Sequence, residues 1–205
     1  MQLLLLDNHD SFTWNLVELL RRTGKVNVNI FTQEQLNIRT LDQYDQIIFS
    51  PGPGLPQEHP AMFDMLRAVE HLKKKGLKAI PVFGVCLGMQ ALAVHFGGSL
   101  VNLPSVIHGQ PRTITVLKPD SPLFTGVTGQ FEAGLYHSWA VDPASFPACL
   151  DKLAVTRDGT IMALAHKTLP FCGVQFHPES IMTSMGRQLL SNWLNYTSSS
   201  LSNSF

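Results

Sequence analysis

The stretch Lys78-Ala-Ile-Pro-Val-Phe-Gly-Val-Cys-Leu-Gly-Met-Gln90 is an apolar run that ends at Gly-x-Cys-x-Gly and resumes with helical character. Ala79 to Val85 reads as a buried strand, since it is short, continuous and apolar. Leu87 to Phe96 reads as a helix closed by Gly97-Gly98. Between them only Cys86 remains, so the chain must turn sharply from strand to helix at that residue. A strand handed straight to a helix is the building unit of an open α/β sheet.

Outward from this junction the same alternation repeats. Gln2 to Leu6 is a short apolar run halted by Asp7, followed by a helix from about Phe12 to Thr23. Asp10-Ser11 offers N-cap oxygens to that helix and Gly24 stops it. Val26 to Ile30 alternates with period 2, and Asp45 to Ser50 reads as another strand, ending in the loop Pro51-Gly-Pro-Gly54. Ala61 to Lys75 carries one apolar stripe, Met62, Met65, Leu66, Val69 and Leu72, and ends in three lysines that suit the negative end of the helix dipole. This half therefore predicts a parallel sheet covered by helices.

From about Ser99 the texture changes to short strands separated by turn residues. Ile114 to Leu117, Leu153 to Thr156, Met162 to Ala165 and Phe171 to Phe176 are the runs, and the last is expected to return to the main sheet. A final helix is expected from about Met182 to Tyr196, and the Ser-rich residues 197–205 are expected to be a disordered tail. The predicted fold class is a single-domain α/β protein. Its sheet is open, mostly parallel and flanked by helices, with antiparallel strands added in the C-terminal half.

Composition narrows the function. Hydrophobic residues make up 44% and charged residues 15%, which predicts a folded globular chain. Fifteen basic residues balance fifteen acidic ones, so charge gives no case for nucleic acid or an anionic membrane as partner. Leu3 to Leu6 is too short for a signal peptide core and has no basic region before it. No segment approaches the roughly 18 apolar residues of a spanning helix. Three separated cysteines are no disulfide framework, so a reducing, cytoplasmic setting is expected.

Cys86 is either core filler or a nucleophile. Gly-x-Cys-x-Gly at a strand–helix junction is the thiol form of the nucleophile elbow, which sets the sulfur at a helix N-terminus where thiolate is favoured. The backbone N–H of Leu87 is then a natural oxyanion donor. Among eight histidines, His177 stands out, in Gln175-Phe-His-Pro-Glu179 directly after a predicted core strand. Pro178 favours extended backbone at His177, and in extended chain residues i and i+2 face the same way, roughly 6.5–7 Å apart. Glu179 is thereby placed to orient the imidazole while its other nitrogen faces a thiol. His137 is the one alternative base; the other six histidines, Cys149 and Cys172 read as surface or structural. The Pro51–Gly54 loop lies at the carboxyl edge of the predicted sheet, where ligands of such sheets bind, and Gly54 suits a second oxyanion donor. Read alone, that loop is equally a tight connection.

Taken in order, the Pro-Gly-Pro-Gly loop, Gly-Val-Cys-Leu-Gly-Met-Gln and Gln-Phe-His-Pro-Glu-Ser resemble the class I (triad) glutamine amidotransferases, a flavodoxin-like fold. The opening Leu6-Asp-Asn-His-Asp-Ser-Phe-Thr-Trp-Asn15 is similar to the small subunits of anthranilate synthase and of aminodeoxychorismate (para-aminobenzoate) synthase. The resemblance implies an amidotransferase domain over residues 1–196. It also implies that Cys86 attacks L-glutamine and releases ammonia, with His177 as base and acid, Glu179 orienting it, and Gly54 and Leu87 as the oxyanion hole. Substrate contacts carry over to Gly52, Pro53, Gly54, Gln90, Ser138 and Trp139. No metal and no cofactor is implied. The partner implied is a separate chorismate-using synthase subunit that takes the ammonia, with tryptophan and folate synthesis both open. Two alternatives remain at this stage: a free-standing γ-glutamyl hydrolase or peptidase of the same fold, and a non-catalytic regulatory subunit. Met89, Trp139 and Gln110 depart from the family's usual His, Leu and Lys.

Overall fold

The apolar runs become the centre of one sheet in the computed structural model, which describes residues 1–24, 26–127 and 129–195. Tyr196, the expected end of the last helix, and the Ser-rich tail lie outside the described residues. Strands β1 (Gln2–Leu6), β2 (Asn27–Phe31), β3 (Gln46–Phe49) and β4 (Val82–Val85) alternate with helices α1 (Thr13–Thr23), α2 (Pro60–Lys74) and α3 (Leu87–His95). There follow β5 (Leu100–Val116), β6 (Gln130–Val141), β7 (Leu150–Thr156), β8 (Ile161–His166), β9 (Phe171–Val174) and α4 (Gly186–Leu194). Among the described residues the nine strands lie in the order β2-β1-β3-β4-β9-β8-β7-β5-β6. The first five are mutually parallel and the pairings from β9 onward are antiparallel.

A parallel sheet covered on both faces needs strands apolar on both faces, which is why β1, β3 and β4 read as unbroken runs. The period of 2 still sorts their side chains. Leu3, Leu5 and Ile48 pack with α1 and α4 through Leu16, Leu20, Leu189 and Trp193. Leu4, Leu6, Ile47 and Phe49 pack with α2 and α3 through Met62, Met65, Leu66 and Leu92. The carboxyl ends of β3, β4 and β9 therefore open side by side at one edge.

Three expectations are corrected. Most of β5 and all of β6 are missed by the sequence reading, because Pro104, Gly109 and Pro111 interrupt β5 and the burial of β6 loses its alternation midway. The β5–β6 ladder accommodates these residues through two register shifts. The last helix starts at Gly186 and not at Met182, because residues 180–184 are occupied in turns: Ser180 N–H donates to His177 O (3.2 Å) and Thr183 N–H to Ser180 O (2.9 Å). Strand β9 ends at Val174, so Gln175 and Phe176 lie on a bend. As expected, β9 does rejoin the main sheet, beside β4.

Candidate active site

Cys86 sits between β4 and α3 with φ 51° and ψ −101°, one of two non-glycine residues with positive φ among those described. Such a backbone is strained and persists only where its surroundings impose it. Here they do. Cys86 N–H donates to Val174 O (2.8 Å), tying the elbow to β9. A Cβ on Gly84 would come within 2.3 Å of Gly88 C, and one on Gly88 within 2.7 Å of Phe49 Cβ. The two flanking glycines thus let α3 start hard against β3 and β4. Met89 also finds its reason: it is fully buried in the layer under α3 and lies over β9 at Gly173, where a small backbone makes room for it.

The Pro51–Gly54 loop is held from two sides. Asn8 N–H donates to Ser50 Oγ (2.9 Å) and its side-chain amide donates to Ser50 O (3.0 Å). His59 Nε2 donates to Pro53 O (2.9 Å). Asn8 and His59 were not singled out from sequence, since a lone Asn and a lone His carry no signal of a loop contact 42 or 6 residues away. Gly54 adopts φ 73°, which favours glycine.

Gly52, Pro53, Gly54, Cys86, Leu87, Gln90, Ser138 and Trp139 all line one cavity of about 160 Å³, together with Tyr136 and His137. This is well below the roughly 300–1,000 Å³ of drug-sized sites and suits a ligand of amino-acid size. Leu87 and Gly88 occupy the first turn of α3, whose N–H groups have no intrahelical acceptor. They form the positive end of the helix dipole, and Leu87 lines the cavity.

The side chains of His177 and Glu179 are buried, and neither residue is among those that line the cavity. The imidazole is 2% exposed and the carboxylate has no exposure; His177 Nδ1 and Glu179 Oε1 are 2.7 Å apart. The pair meets across a turn, Ser180 N–H to His177 O, with Pro178 at the favoured second turn position, and not along extended chain as expected. Burial opposes the imidazolium, but Cys86 and Glu179 outweigh it and push His177 up to about 10. The protonated ring then donates Nδ1–H to Glu179, while Nε2, with no hydrogen-bond partner of its own, is on the side influenced by Cys86.

Strand β6, not expected from the sequence, seats this histidine. Gly134 O accepts from His177 N–H (3.1 Å), and Gly134 N–H donates to Thr183 Oγ1 (3.1 Å), which in turn donates to His177 O (2.6 Å). Tyr136 and Phe12 pack on the imidazole with ring centroids 4.8 and 5.3 Å away. The same strand carries Ser138 and Trp139 to the cavity rim. Trp139 contributes its carbonyl, which accepts from Gln90 Nε2 (2.8 Å), so a side chain other than Leu is tolerated there. Gln110 is exposed on β5 and accepts from Arg112 (3.0 Å).

His137 is the alternative base, and its setting differs. Burial lowers it, so the ring is neutral; Nδ1–H donates to Trp139 O (2.9 Å) and no carboxylate orients it. Cys172 is buried in β9 and pushed far above the usual thiol range by that burial, which leaves it inert. Gln175, also not singled out, donates its Nε2–H to Cys86 Sγ (3.4 Å). Among the described residues no group of three or more His, Cys, Asp or Glu side chains is arranged to hold a metal ion.

The chain is similar to known proteins over nearly its whole length. Residues 4–196 match the family model described as glutamine amidotransferase class-I. A Haemophilus influenzae relative, provisionally named as anthranilate synthase component II, is 44% identical over 194 residues, covering 95% of this chain and 96% of the relative. The Bacillus subtilis aminodeoxychorismate/anthranilate synthase component 2 is 39% identical over 194 residues, covering 94% and 95%. A Thermoplasma acidophilum crystal structure, provisionally described as a component of GMP synthase, shares the fold with a TM-score of 0.81. It is 24% identical to this chain, and the match covers 98% of this chain and 95% of that one.

Proposed function

The chain belongs to the class I glutamine amidotransferases, and from that membership we infer that it is the component II subunit of a chorismate-using synthase. It hydrolyses L-glutamine and supplies ammonia to a separate component I, for anthranilate or aminodeoxychorismate synthesis. The observation that carries the reading is a cysteine on a strained elbow at the floor of an amino-acid-sized cavity, backed by a buried His–Glu pair. A merely regulatory subunit has no chemical use for that arrangement. The relatives' names favour a synthase subunit over a free-standing hydrolase. No described helix is long and apolar enough to cross a membrane, and we place the protein in the cytoplasm. Residues 1–196 are taken as the amidotransferase domain.

The residues present support the following chemistry. The Cys86 thiolate attacks the side-chain amide carbon of glutamine, forming the S–C bond and an oxyanion held by the Gly54 and Leu87 N–H groups. His177, oriented by Glu179, gives its proton to the amide nitrogen; the C–N bond breaks and ammonia leaves. Water then attacks the thioester while His177 takes its proton. The C–S bond breaks, restoring thiolate and imidazolium, and the acid so formed loses its proton to solvent as glutamate. Gly52, Pro53, Gln90, Ser138 and Trp139 hold the amino-acid end of the substrate.

The test is Cys86→Ser in complex with component I, assayed with glutamine and with ammonium as alternative nitrogen donors. Glutamine-dependent synthesis is expected to fall below detection and ammonia-dependent synthesis to stay within twofold of wild type. Equal loss of both would overturn the assignment of Cys86. Running the assay with an anthranilate and an aminodeoxychorismate component I shows which synthase the chain serves.

A further inference from the structure

Gln175 is fully buried on the bend after β9 and touches the nucleophile, yet none of the steps above uses it. Donor and acceptor rules fix how it lies. The Trp139 carbonyl can only accept, so the Gln90 atom 2.8 Å from it is the amide nitrogen. That same nitrogen is 3.1 Å from the Gln175 side-chain amide, which must therefore present its oxygen to Gln90. The Gln175 nitrogen is left facing Cys86 Sγ at 3.4 Å, with a hydrogen aimed at sulfur. A relay thus runs from the Trp139 carbonyl at the cavity rim, through two amides, to the nucleophile.

We propose that Gln175 is a positioning residue that holds Cys86 as thiolate, and that Gln90 and the Trp139 carbonyl dictate which end of its amide faces the sulfur. A hydrogen bond to an ionised acceptor is roughly twice as strong as one between neutral groups. The contact therefore favours thiolate over both thiol and thioester. It promotes formation of the nucleophile, and it also stabilises the sulfur as leaving group when the thioester is hydrolysed. Being neutral, the amide adds this without a charge that would compete with His177 for the proton. The backbone reinforces the aim: Gln175 N–H donates to Met162 O on β8 (2.9 Å) and Cys86 N–H to Val174 O on β9 (2.8 Å), so both residues are tied to the same end of the β8–β9 ladder.

The inference deepens the glutaminase reading and rests on it, but its test is read without glutamine. Cys86 of the full chain is alkylated with iodoacetamide across pH 5.5–9.5, and the adduct is quantified by mass spectrometry. Gln175→Met keeps similar bulk and removes the donor. It is expected to move the midpoint of the alkylation profile up by about one pH unit, roughly a tenfold loss of thiolate at pH 7. Gln175→Glu is of the same shape with a negative charge toward sulfur, and should move it further in the same direction. It also serves if the Met variant fails to fold. Ammonia-dependent synthesis with component I should stay within twofold for both variants, while glutamine-dependent kcat falls about tenfold. Midpoints within 0.2 unit of wild type in the folded variants would overturn the role of Gln175. A shifted midpoint in a chain with no glutamine-dependent activity would instead overturn the glutaminase reading and leave this one standing.

Discussion

Gly84→Ala adds one methyl at the base of the nucleophile elbow. Its Cβ would lie 2.3 Å from Gly88 C, 2.4 Å from Gly88 O and 2.5 Å from Met89 N. Ordinary carbon contacts are roughly 3.5–4.0 Å, so β4 and the first turn of α3 must separate by about 1 Å or more. The obstructing atoms are backbone, and no side-chain rotation relieves them. Overpacking of this kind costs about 1–3 kcal/mol, and in a chain of this size each kcal/mol lowers Tm by about 2–4 °C. A Tm roughly 2–12 °C lower is expected. A displacement of about 1 Å between nucleophile and base can also cost on the order of 100-fold in rate. Glutamine-dependent kcat/KM should fall by about that factor in the complex with component I, while ammonia-dependent synthesis survives at temperatures below the lowered Tm. Gly24→Ala is the control. Gly24 is extended (φ −164°), and an added Cβ would meet only Leu194 Cδ1 at 3.5 Å and Val26 Cγ1 at 4.0 Å. It should be neutral, or stabilising by about 0.4–1 kcal/mol through the unfolded state. Wild-type kcat/KM in Gly84→Ala, with Tm within 1 °C, would refute the view that the elbow is packed to its limit.

Glu179→Gln preserves shape but offers His177 an amide in place of the carboxylate. An N–H donated to Nδ1 would hold the ring neutral with its proton on Nε2, the nitrogen that in the proposed mechanism must take a proton from water; kcat is expected to drop by about 10²–10⁴ with KM little changed. Unchanged kcat in steady-state assays would remove Glu179 from its orienting role. The raised proton affinity of His177 gives a pH signature with a definite sign. The folded value near 10 exceeds the ordinary 6.5, so the folded chain binds the extra proton between them. The stabilisation is complete below pH 6.5 and is lost as pH rises through about 10. In thermal melts from pH 6 to 10.5, the Tm advantage of wild type over His177→Gln should shrink with rising pH, and an advantage that grows would contradict the ion pair.

The parallel half of the fold was legible because its strands are buried on both faces, so Leu3–Leu6 and Val82–Val85 declare themselves by composition alone. The proposed nucleophile drew notice because glycines on both sides of a cysteine at a strand end serve a tight turn and contribute nothing to core packing. The His177–Glu179 contact was legible because His-Pro-Glu is local in sequence. What the sequence hid is what depends on distant pairing. Strand β6 has too little alternation to announce itself, and only its ladder with β5 and its bonds to residues 177–184 make it a strand. Gln175 lay within a quoted motif but had no distinct chemistry until folding set it against Cys86, 89 residues away. Asn8 was hidden for the same reason, since its partners stand on the neighbouring strand's far loop.

Gly134, Tyr136 and Ser138 follow one another at alternate positions along β6, and so share a face of the strand. The first anchors the main chain of the histidine, the second packs on its ring, and the third lines the cavity. In the proposed mechanism, substrate recognition and proton transfer are therefore mounted on a common beam. A shift of β6 by one residue would turn all three away together, so neither half of the site can be re-tuned through this strand alone: changes of affinity and of turnover will arrive as a pair.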